Sequence, residues 1–67
     1  MYRFKKEKKD EIISRFKLSY IANEIGISLT YLSNVLNSKV ACKKVVAYCI
    51  TKNIDAEKEI EYFFENE

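Results

Sequence analysis

The chain has 67 residues, with 12 Lys or Arg against 10 Asp or Glu and a formal charge of +2. Apolar residues make up 48% and charged residues 33%, the composition of one small folded domain with a single core and little room for an enclosed catalytic cleft. Histidine is absent, which excludes His-based acid–base and triad chemistry, and two cysteines alone cannot complete a four-ligand zinc site. Taken as a total, +2 argues weakly against a nucleic-acid partner.

Proline is also absent and glycine occurs once, at Gly26, so the two strongest helix breakers are nearly missing. The composition and apolar spacing predict an all-α fold, a compact bundle of four to five short helices over residues 1–67. No apolar run approaches the about 18 residues that a membrane span needs. Met1 to Lys6 has the charge of a signal peptide without the apolar run that follows in one, so a cytoplasmic protein with reduced thiols is expected.

In chain order, residues 1–7 read as a basic N-terminal arm. Lys8 to Phe16 follows as a helix with Ile12, Ile13 and Phe16 inward. Leu18 to Ile25 repeats the pattern with Leu18, Ile21, Ala22 and Ile25. After Gly26 and Ile27, Ser28 is a good N-cap for a helix from Leu29 to Leu36, whose inward residues are Leu32, Val35 and Leu36. Asn37-Ser38-Lys39 is a polar break. A fourth helix is predicted near Cys42 to Lys52, burying Cys42, Val45, Val46, Cys49 and Ile50, with Asn53 as a left-handed stop. Asp55 caps a last, acidic helix from Ala56 to about Glu65, with Ala56, Ile60, Phe63 and Phe64 inward. The two cysteines, seven apart on one predicted face, read as small buried hydrophobes.

The informative stretch is Leu18 to Leu36. Two helices that cross steeply through a short turn need a small side chain where they touch, and Ala22 supplies it. The turn needs a residue at positive φ, which Gly26 adopts without steric cost. Ile27 is suited to plug the turn into the core, and Leu32 and Val35 to pack the second helix against the first.

These residues resemble the DNA-binding helix-turn-helix family. Ala22, Gly26, Leu32 and Val35 stand at the family's spacing, with Ile21 and Ile25 as flanking apolar positions. The similarity is closest to the small phage repressor and Cro-type regulators, along which residues 8–65 can be laid without a large gap. Ile27-Ser28 with Tyr31-Leu32-Ser33 also looks like the motif of AraC-type regulators. The resemblance implies a phage or mobile-element transcription regulator, a repressor of the Cro type, bound to double-stranded DNA as a homodimer. It implies no catalysis, cofactor or metal. Carried over by position, Ser28, Leu29, Thr30, Ser33, Asn34 and Asn37 would face the bases. Asn34 is suited to adenine and Leu29 to a thymine methyl. Tyr31 would lie at the groove edge and contact phosphate. The family often has glutamine at the positions of Leu18 and Leu29, and the predicted recognition helix carries no Arg or Lys.

The charge is unevenly placed. Residues 1–17 carry a net +4, residues 18–54 a net +3 and residues 55–67 a net −5. Arg3, Lys5, Lys6 and Lys17 on one side, and Lys39, Lys43 and Lys44 after the motif, are the candidate phosphate contacts. The fourth helix start also offers free N–H groups. The near-neutral total therefore does not count against DNA. A rival class is a protein-interaction module on the same fold, an antirepressor or an inhibitor of a nucleic-acid-binding enzyme. Leu29, Tyr31 and the acidic, aromatic C-terminal helix motivate it.

Overall fold

The computed structural model describes residues 1–13 and 17–67, with the side chain of Ile13 excepted. In order the elements are β1 (Tyr2–Phe4), a 3-10 turn (Lys6–Lys8), α1 (Lys9–Ile13), α2 (Leu18–Ile25), α3 (Leu29–Leu36), α4 (Lys44–Ile54), α5 (Ile60–Phe63) and β2 (Phe64–Asn66). The chain is mostly helical, but it is not all-α. β1 and β2 pair antiparallel, with Tyr2 opposite Asn66, Arg3 opposite Glu65 and Phe4 opposite Phe64.

This small sheet corrects the reading of both chain ends. Residues 1–7 are not a free arm, because aromatic residues at Tyr2 and Phe4 suit a half-buried strand. Phe4 and Phe64 are 2% and 1% exposed, and their rings meet edge to face at 5.2 Å. Phe63 stacks on Phe4 at 6.2 Å. Tyr2 and Cys42 exchange both backbone hydrogen bonds at 2.7 Å, which ties the far edge of β1 to the chain before α4. Ser38 holds the same edge of β1, its Oγ donating to the Phe4 carbonyl at 2.7 Å.

The same contacts explain why α4 starts at Lys44 and not at Cys42, whose backbone is already paired. The buried face of α4 also differs from expectation. Ala47, Ile50 and Thr51 are buried and Val46 is partly so, whereas Val45 is 63% exposed and Cys49 half-buried. A small residue and a hydroxyl at helical spacing carry this packing, and Thr51 satisfies its hydroxyl by donating to the Ala47 carbonyl at 2.8 Å. Cys42 is buried but lies off the helix, so the cysteines do not share a face. Asn53 is not a left-handed stop: it remains helical, and its amide donates to the Cys49 carbonyl.

The last helix is far shorter than predicted. The Asp55 carboxylate accepts from the Glu57 N–H at 3.0 Å, and its carbonyl from the Lys58 N–H at 3.1 Å, so residues 55–58 form a turn. Lys52 Nζ donates to the carbonyls of Ala56 and Lys58 and fixes that turn over the end of α4. Ala56 is exposed, and the helix spans only Ile60–Phe63 before Phe64 turns to extended backbone. The expected helix Lys8 to Phe16 is represented by the 3-10 turn and α1, in which Ile12 is buried; Phe16 lies outside the described residues.

Candidate nucleic-acid interface

Helix α2 packs against both α3 and α4. Ile21 and Ala22 are buried, while Leu18 and Ile25 lie partly buried against the core. Gly26 sits at φ 84°, ψ 33°, the left-handed region, and its N–H donates to the Ala22 carbonyl at 2.9 Å. The Ile27 N–H reaches the same carbonyl at 3.0 Å, and the Ile27 side chain packs onto the core. Two N–H groups just beyond the helix thereby close on one carbonyl of its last turn. Ser28 then caps α3, its Oγ accepting from the Tyr31 N–H at 3.0 Å. Leu32, Val35 and Leu36 are fully buried on the inner face of α3.

The outer face of α3 sorts the base-reading candidates. Leu29 is 50% exposed and Thr30 is exposed. Ser33, Asn34 and Asn37 are half-buried. Asn37 is a C-cap, donating its amide to the Ser33 carbonyl at 2.8 Å and to Ser33 Oγ at 3.2 Å. These contacts engage Asn37 and Ser33 with each other. Tyr31 is half-buried and packs on the core.

The cations fall into two groups. Lys17, Lys39, Lys43 and Lys44 are exposed, at the start of α2, after α3 and at the start of α4. Neither Lys17 nor Lys43 caps its helix through its side chain. Lys6 is exposed in the 3-10 turn. Arg3 and Lys5, by contrast, serve the fold. The Arg3 guanidinium pairs with the Glu67 carboxylate at 2.6 Å and donates to the Ser38 carbonyl at 2.7 Å. Its hydrogen bond to Glu67 raises the Arg3 pKa and holds the Glu67 carboxyl below the usual carboxylate range. Lys5 Nζ donates to the Glu61 carbonyl at 2.6 Å.

Ser38 is the residue that sequence reasoning missed. It adopts φ 62° just beyond α3, and it links the end of that helix to β1 through both its hydroxyl and its carbonyl. A serine between asparagine and lysine in a polar break gives little local signal of that role.

The acidic C-terminal segment offers less aromatic surface than expected. Ile60, Phe63 and Phe64 are in the core. Tyr62 is half-buried, with Lys8 Nζ at 3.9 Å and Lys58 Nζ at 4.5 Å from its ring centroid. Burial pushes the Cys42 thiol up, away from thiolate chemistry. Among the described residues, no cluster of three His, Cys, Asp or Glu is placed to hold a metal, and no helix is long and apolar enough to cross a membrane.

No family model matches the chain, and no curated protein or solved structure matches it.

Proposed function

We propose that this protein is a sequence-specific DNA-binding transcription regulator in which α2, the turn at Gly26 and α3 form a helix-turn-helix. The observation that carries this reading is the turn itself. A left-handed Gly26 bonded back to Ala22, followed at once by the Ser28-capped α3, buries one face of α3 and turns Leu29 and Thr30 outward. In this reading α3 enters the major groove. Lys17, Lys39, Lys43 and Lys44 hold the backbone, helped by the first-turn N–H groups of α2 and α4. Arg3 and Lys5 hold the sheet, and the grip on phosphate does not depend on them. Binding as a homodimer to a two-fold operator belongs to the same reading.

The charge placement supports it. Residues 18–54 hold four lysines, Lys39, Lys43, Lys44 and Lys52, against a single acid, Glu24, whose carboxylate accepts from the Tyr20 hydroxyl at 3.2 Å. Selection from random duplexes at two salt concentrations tests the proposal. An enriched, palindromic motif is expected. Four phosphate contacts per copy, eight in the homodimer, give a slope near −7 in log affinity against log salt, roughly a ten-thousandfold loss over a fourfold rise in salt. Failure to enrich any duplex, together with salt-independent capture of a protein, would favour the protein-interaction module instead.

A further inference from the structure

We infer that α3 reads A·T base pairs, through thymine methyl groups at Leu29 and Thr30 and through an adenine edge at Asn34. The inference rests on the DNA-binding reading above and goes further, to the chemistry of the bases recognised.

It follows from which outward side chains are already occupied. Ser28 Oγ is held by the Tyr31 N–H at the helix start. Ser33 Oγ and the Asn37 amide are bonded to each other, and Asn37 also closes the helix end. Tyr31 packs on the core. Leu29 and Thr30 stay exposed, and the Asn34 amide has no hydrogen bond among the described residues. Leu29, Thr30 and Asn34 are thus the three whose side chains carry no hydrogen bond among the described residues, while the Ser28 and Ser33 hydroxyls, which only accept, keep a proton to donate.

The chemistry of those three is selective. Helix α3, Leu-Thr-Tyr-Leu-Ser-Asn-Val-Leu, holds no Arg or Lys to span the O6 and N7 acceptors of guanine, and no Asp or Glu to accept from cytosine N4. An amide matches the N6 donor and N7 acceptor of adenine, and apolar groups match the thymine methyl. Thr30 and Asn34 lie one turn apart, about 6 Å along the helix. In this reading thymine lies under the start of α3 and adenine one helical turn along.

The test uses the full chain and the duplex it enriches, with two atom-level replacements. Deoxyuridine in place of thymidine removes only the methyl group, and 7-deazaadenine in place of adenine removes only the N7 acceptor. Wild-type protein should lose about fourfold in affinity per contacted thymine replaced. It should lose about tenfold on the 7-deazaadenine duplex. A protein carrying Leu29→Ala with Thr30→Ser should bind thymidine and deoxyuridine duplexes equally, and Asn34→Ala should lose its preference for adenine over 7-deazaadenine. Leu29 and Thr30 are exposed, and circular dichroism shows whether the helices persist. Enrichment of G·C pairs, or equal binding of thymidine and deoxyuridine duplexes by wild type, would overturn this inference while leaving DNA binding intact. Absence of salt-sensitive binding to any duplex would overturn both.

Discussion

Replacing Gly26 with alanine isolates the backbone requirement of the turn. Gly26 holds φ 84°, and a Cβ placed there meets no atom within 4 Å, so packing contributes nothing to the change. What remains is the cost of a left-handed L-residue, about 1–2 kcal/mol. Against it stands the reduced freedom of the unfolded chain when glycine is removed, about 0.4–1 kcal/mol. The net expectation is a loss of about 1 kcal/mol, equivalent to about 4–8 °C in Tm for a domain of this size. Urea unfolding followed by circular dichroism measures it, as a lower midpoint at unchanged slope. Gly26→Asn should lose less, since asparagine tolerates this region better. Unchanged or increased stability for Gly26→Ala would refute the claim that the turn needs a left-handed residue. A loss above about 3 kcal/mol would show that packing, not backbone, is the constraint at this position.

Other consequences are equally direct. Phe4→Ala removes a ring that is 2% exposed and packed against Phe63 and Phe64; it should cost about 3–5 kcal/mol and leave little folded protein, as thermal melts would show. Deleting residues 1–4 should unfold the chain rather than merely weaken DNA binding, because β1 holds both β2 and the segment before α4; a folded truncation with reduced DNA affinity would restore the arm reading. The Glu67 carboxyl is held low by Arg3, so its contribution to stability is present above its unfolded pKa and disappears as pH falls through the lower folded value. Glu67→Gln should therefore be less stable than wild type near neutral pH, with the two denaturation curves converging in acid. Lys43→Ala should reduce the salt slope of DNA binding by about 0.9 per bound copy and weaken all sequences alike.

The helical part of the fold was legible where apolar spacing and cap chemistry agreed. From Leu18 to Leu36, one glycine, one capping serine and two inward stripes define the helices and the turn between them. The ends were not legible, because Tyr2-Arg3-Phe4 is too short for its alternation to stand out and its partner residues lie 60 to 64 positions away. Phe63 and Phe64 fit a helical stripe as neighbours, yet the first ends a helix and the second begins a strand. On α4, Ala47 and Thr51 mark the buried face without looking hydrophobic, whereas Val45 looks buried and is not. Among the candidate site residues, the sequence marks those at outward positions but carries no sign of which are already bonded. Asn37 and Arg3 have the right chemistry for DNA, and the fold engages both.

An amide-resolved NMR titration with the enriched duplex shows whether α3 meets DNA. The largest shifts are expected on residues 28–34 and 43–46, with smaller ones near Lys17 and Lys39, all weakening as salt rises. Shifts confined to residues 57–67, or no shift with any duplex at low salt, would contradict DNA binding through α3.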